Sequence, residues 1–88
     1  MAASTNPAAG GIAEHRDAID RIDSEIVRLV SERARPAQAI GHLKGGAVVY
    51  RPEREAQVLN QAAAANPGPL SAEAIKRVFV EVMSACRA

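Results

Sequence analysis

Aromatic side chains are almost absent: they make up 2% of the 88 residues, Tyr50 and Phe79 are the whole supply, and there is no tryptophan. A chain so short of flat rings has no stacking platform for single-stranded nucleic acid, which excludes RNA-recognition sheets. Neither sign of charge is in excess, since 11 basic side chains are interspersed with 10 acidic ones for a net charge of +1. No basic face for a phosphate backbone emerges. The one cysteine, Cys86, has no partner for an internal disulfide, and no paired Cys/His spacing offers a zinc site. A reducing cytoplasm is the expected compartment. No run approaches the roughly 18 apolar residues of a membrane span, and Met1 to Gly11 lacks the basic start and apolar stretch of a signal peptide. The expected partners include neither nucleic acid nor membrane.

Hydrophobic residues, by contrast, reach 48% and charged ones 24%, an ordinary globular balance. The length allows one small domain, which would bury only about 60 to 65% of its unfolded surface. Another copy of the chain is the natural source of additional core.

Residues 1–11 (MAASTNPAAGG) are too poor in large apolar groups to offset the entropy of ordering them and read as a disordered leader to a domain over 12–88. From Ile12 the pattern changes. Ile12, Ile19, Ile22, Ile26, Leu29, Ile40 and Leu43 recur at helical steps, with His15, Arg33 and Pro36 at the remaining seam positions. This predicts one long amphipathic helix, kinked between Glu32 and Gln38 by Pro36 and ended at Gly45-Gly46. Ala47 to Tyr50 reads as a connector. Pro52 suits the first position of a second helix with Glu53 and Glu55 in its first turn and Val58, Leu59 and Ala62 on its buried face. Asn66-Pro67-Gly68-Pro69 breaks the chain, and Ser71 starts a third helix whose stripe is Ile75, Val78, Phe79, Val82, Met83 and Cys86. The expected fold is all-α, with helices in the order long, short, medium.

Some residues are out of place in that scheme. Arg33 lies in the apolar stripe, where a charge is costly unless something pairs with it. It reads either as a snorkelling or ion-paired surface arginine or as an anion clamp facing a cavity. Lys44, one of two lysines, lies 11 residues further on, within about 20° of Arg33 and roughly 16 Å along the axis. The two could bracket a small dianion, or Lys44 could simply cap the helix dipole. Arg16 is about 25 Å before Arg33 and some 100° round the helix, so only an antiparallel partner chain could bring it to the same ligand. Otherwise it is a solvated charge beside Asp20. Arg51-Pro52-Glu53-Arg54-Glu55 is a second concentration of charge: an exposed first turn, or, through an inward Glu55, an acceptor for a ligand hydroxyl. Asp20 and Asp23 find no third ligand for a metal. Cys86 sits in an apolar stripe with no His near it in sequence, which favours packing over nucleophilic chemistry.

Taken together, Arg16 to Asp23 (RDAIDRID), Glu32-Arg33 with Ile40 to Lys44 (IGHLK), Tyr50 to Leu59 (YRPEREAQVL), Asn66 to Leu70 (NPGPL) and Val78 to Ser84 (VFVEVMS) resemble the all-helical chorismate mutases. Within them they are most similar to the N-terminal domain of bifunctional chorismate mutase/prephenate dehydratases. The resemblance covers about Ile12 to Ala88. It implies an intertwined homodimer of three-helix subunits, each active site completed by the other chain, and the conversion of chorismate to prephenate without cofactor or metal. It also implies that Arg16 of the partner subunit and Arg33 hold the substrate carboxylates. Lys44 would donate to the ether oxygen of the breaking bond, Glu55 would bind the ring hydroxyl, and Arg54 would support the carboxylate end.

Three positions depart from the family pattern. Arg51 stands where some members carry an acidic residue for the hydroxyl. Cys86 stands where some carry serine, a stronger hydrogen-bond partner. The family's Gln or Glu one turn beyond Cys86 falls past Ala88, so weakened turnover and an excised domain, in the parent fused to a prephenate dehydratase, are expected. Two competing readings share the same helices: an isochorismate pyruvate-lyase with a similar pericyclic site, and a non-catalytic dimerisation module in which Arg33 and Lys44 make only structural pairs.

Overall fold

The computed structural model describes residues 10–45 and 51–87, and these form three helices and no strand. Helix α1 spans Ile12–Leu43, α2 spans Pro52–Ala65 and α3 spans Ala72–Arg87, giving the expected all-α order of long, short and medium. Residues 1–9, most of the expected leader, lie outside the described residues, as do Gly46 and the connector over 47–50.

The starts of the three helices and the end of α1 rest on identifiable chemistry. Gly11 is the extended N-cap of α1, and its N–H donates to the Glu14 carboxylate one turn ahead. Gly11, grouped with the leader by composition, is thus the cap of the helix. At the other end the Lys44 N–H is shared between the carbonyls of Ile40 and Gly41 at 3.0 and 3.2 Å. Gly45 then adopts φ 82°, the left-handed value that stops the helix. Pro52 occupies the first turn of α2, where its missing donor costs nothing. The turn into α3 is braced by Asn66, whose Nδ2 donates to the Leu70 carbonyl at 2.6 Å while its Oδ1 accepts from the Gly68 N–H at 3.1 Å. Ser71 Oγ caps α3 by accepting from the Ala74 N–H at 3.0 Å.

Helix α1 continues through Pro36 as a single 32-residue element, the one long helix that the apolar stripe predicts. Pro36 and Glu32, whose carbonyl loses its donor, both face solvent, where water can take the place of the missing N–H. On the same helix Arg28 pairs with Glu25 and Glu32 at 2.7 Å each, an exposed network at helical spacing. The hydrogen bond to Glu25, and then that to Glu32, holds the Arg28 guanidinium above its ordinary value.

Helix α3 is the centre of the packing: it contacts both α1 and α2, which do not contact each other among the described residues. The turn over 66–71 makes α2 and α3 an antiparallel hairpin. Ile26, Leu29 and Val30 of α1 instead line a groove with Val78, Phe79 and Val82 of α3, and Val30 lies beside Cys86, so these two helices run in the same direction.

The core is small. Only Met83 and Cys86 are buried among the described residues, 6% and 2% exposed, and neither α1 nor α2 buries any residue fully. Val58, Leu59 and Ala62 of α2 are half-buried. In the α3 stripe Ile75, Phe79 and Val82 are half-buried, whereas Val78, expected inside, is 51% exposed because the groove it lines is open. The α1 stripe is left bare: Ile12, Ile19, Ile22, Ile26, Leu29, Ile40 and Leu43 are each more than half exposed. The molecule is a rod of 53 × 22 × 17 Å, its long axis set by the roughly 48 Å of α1. Its radius of gyration is 16.7 Å, where a compact chain of this length would have about 12 Å. Its accessible surface of 6934 Å² likewise exceeds the about 4,900 Å² of a compact monomer of this mass.

Because α1 is helical on both sides of Pro36, that residue is a local defect. Pro36→Ala should raise stability by up to about 3 kcal/mol, read as a later urea-unfolding midpoint. An unchanged midpoint would mean that the proline is already accommodated at no cost.

Candidate active site

The residues singled out by sequence fall on three helices, and the fold decides which of them can meet. Arg16, Arg33 and Lys44 all belong to α1 or its cap, so the unbroken helix fixes their spacing. Arg16 lies in the second turn and is exposed, Arg33 is half-buried, and Lys44 is the exposed C-cap. Among the described residues none of the three is within 4.0 Å of a carboxylate, in contrast to Arg28. Half-buried Arg33 therefore has no carboxylate partner for its guanidinium donors among the described residues. The 25 Å or so from Arg16 to Arg33 exceeds the reach of two arginine side chains around one small molecule.

Helix α2 contributes the second group. Arg51 is its exposed N-cap, and Arg54 is exposed with its guanidinium donating to the Gln57 side chain. Glu55 is half-buried and faces α3, where its carboxylate Oε2 accepts from Nη1 of Arg87. The inward direction read from the sequence for Glu55 is thus present, and its partner within the chain is Arg87.

Helix α3 is the element that joins the other two. Its last turn touches both neighbours: Cys86 Sγ points at the Val30 carbonyl of α1 at 4.0 Å, a weak donor contact, and Arg87 reaches Glu55 of α2. Arg33, one turn beyond Val30, and Glu55 thus lie on opposite sides of the end of α3. Cys86 is buried against α1, which gives it a packing role beside the site. Among the described residues no three His, Cys, Asp or Glu side chains gather where a metal ion could be held. No described helix is long and apolar enough to cross a membrane.

Arg87 is the residue that the sequence reading missed. A signal was present: folding the chain back at 66–71 brings the first turn of α2 beside the last turns of α3, where Arg87 is the only cation after Arg77. Its long separation from Glu55, 32 positions, hides the pair from any local pattern.

Fold and site together define an all-helical domain with cations set along its longest helix and a carboxylate facing the end of a second. The sequence profile of chorismate mutase type II matches residues 15–88, and the chain belongs to that family. It is 58% identical over 74 residues to the bifunctional chorismate mutase/prephenate dehydratase of Neisseria gonorrhoeae, a match covering 84% of this chain and 20% of that protein. The protein of the same description from Stutzerimonas stutzeri is 47% identical over 77 residues, covering 80% and 21%. The chain thus spans about a fifth of the length of these curated relatives. Among solved structures, a chorismate mutase from Thermus thermophilus (Form II) superposes with a TM-score of 0.78 at 42% identity, over 85% of this chain and 88% of that one.

The burial of Cys86 predicts an unreactive thiol. A bulky disulfide reagent should leave native protein unlabelled over the time in which guanidinium-unfolded protein reacts completely. Equal labelling rates would place the thiol at the surface.

Proposed function

We propose that this domain catalyses the [3,3] rearrangement of chorismate to prephenate, working as a homodimer. The observation that carries the reading is the half-buried Arg33, without a carboxylate partner among the described residues, in a chain of the chorismate mutase type II family. A unimolecular rearrangement needs no nucleophile or base. The site must hold a flexible dianion in its compact conformer and stabilise charge on the departing ether oxygen. In this reading Arg33 and the partner subunit's Arg16 grip the two carboxylates by forked hydrogen bonds, and Arg54 supports one of them. Lys44 places a point charge on the ether oxygen, and Glu55 accepts from the ring hydroxyl. Arg51 and Cys86 border the substrate with smaller contributions. An acceleration of about 10⁶ requires about 8 kcal/mol of transition-state stabilisation, within reach of a few charge-assisted contacts in a dry pocket.

The dimer is supported by the bare face of α1. Seven large aliphatic side chains exposed along one helix form a surface that a monomer would not keep in water. The groove of about 270 Å³ between α1 and α3 is lined wholly by Ile26, Leu29, Val30, Val78, Phe79 and Val82 and suits the stripe of a second α1. An antiparallel partner would also supply Arg16 at the end of the site that its own chain cannot reach. A cytoplasmic location and a parent polypeptide that joins this domain to a prephenate dehydratase belong to the same reading. The second is supported by the names of the relatives.

Chorismate consumption followed by its ultraviolet absorbance, with the product identified, tests the reaction. Lys44→Ala should lower kcat/KM by about 10²- to 10³-fold, and Arg51→Ala by less than about tenfold. Comparable losses from the two would contradict the assigned roles, and pyruvate release would assign lyase chemistry instead. Complementation tests the dimer. Arg16→Ala and Lys44→Ala chains, each inactive alone, should regain about a quarter of wild-type sites when refolded together, because hybrid dimers carry one intact site. No recovery from a mixed dimer would place both residues in the same chain's site.

A further inference from the structure

Glu55 has two carboxylate oxygens, and only one is engaged within the chain: Oε2 accepts from Arg87, while Oε1 has no donor among the described residues. The pair is partly sheltered, its side chains 33% and 23% exposed, and it is the only ion pair among the described residues that joins two helices. The backbone beneath it is fixed as well, since the Glu55 N–H donates to the Arg51 carbonyl at 2.9 Å. Two other cations stand on the same turn. Arg54 is turned to Gln57, and Arg51 is exposed at the cap. A glutamate side chain with three free torsions in such company has several partners to choose from. Arg87, approaching from α3, is the partner it takes, which draws the carboxylate to the last turn of that helix. The position of Arg87 in the last turn of α3, beside that helix's partial negative charge, suits a guanidinium.

We propose that Arg87 is a positioning residue: it holds Glu55 by one oxygen so that the other is presented, already ordered, to a hydroxyl of the ligand. This rests on the mutase reading, in which that hydroxyl is on the chorismate ring. An acceptor ordered in advance lowers the entropy lost on binding, and it does so equally for the ground state and the transition state. The consequence falls on KM.

The test is steady-state kinetics of the full chain with chorismate for Arg87→Met, Arg87→Lys, Glu55→Ala and the Arg87→Met/Glu55→Ala double variant, with circular dichroism as a check on folding. Arg87→Met should raise KM about tenfold and leave kcat within about twofold, and Arg87→Lys should recover most of the loss. In the Glu55→Ala background Arg87→Met should add less than about twofold, since its effect acts through Glu55. A fall in kcat at unchanged KM, or an equal effect in both backgrounds, would overturn the proposal in favour of a structural role or direct contact with substrate. An active parent chain whose KM is indifferent to Arg87→Met would overturn it while leaving the mutase reading intact. A parent chain that does not convert chorismate would overturn both.

Discussion

The long helix carries more apolar surface than the rest of its own chain can cover, and the architecture follows from that imbalance. Of the other two helices only α3 packs against α1 among the described residues, and its 16 residues cover one stretch of the 32-residue helix. Only two side chains end up buried among the described residues, and the stripe from Ile12 to Leu43 faces outward. A single chain with so small a core is close to the limit at which burial offsets the entropy of folding. A second chain laid along α1 would remove the exposed face and complete a line of binding groups spaced too widely for one copy. In that arrangement folding, association and assembly of the site are one event, driven by the same aliphatic residues.

The chemistry proposed for the site is compatible with such a scaffold because it asks for placement more than for reactivity. No group has to be tuned to exchange a proton. What matters is that cations and an acceptor stand at fixed separations, and helices are good rulers: Arg33 and Lys44 are separated by a set number of rises along one unbroken rod. The flexible links in such a site are the long side chains themselves. Interactions such as that of Arg87 with Glu55, which restrict those side chains before the ligand arrives, are therefore as important as the charges they arrange.

Much of this was legible in the sequence because the helices announce themselves locally. The step from residue 11 to residue 12, Pro52 at a first turn, Gly45 after a last turn and the Asn66 to Ser71 break each mark a boundary that backbone chemistry enforces. Pro36 does not end the helix, because on a solvent face water can take the place of the lost hydrogen bond. Val78 misled because a periodic stripe shows which side of a helix is apolar but not how wide the contact will be. Arg33 and Glu55 stood out as charges on apolar faces, and the half-burial of both follows the pattern. Arg87 did not stand out, because its partner is brought to it only by the hairpin, and a single basic residue at a helix end looks like dipole chemistry.

Helix α3 is the only element that touches both α1 and α2, so the distance between Arg33 and Glu55 is set by how α3 is seated and by nothing else among the described residues. Met83 is one of the two residues buried on that helix. A slightly larger or smaller side chain there would shift the jaws of the site relative to one another without touching a single charged group. Sequence drift in this one apolar position is consequently a route by which descendants of the domain could adjust the size of molecule they accept while every residue that contacts it stays the same.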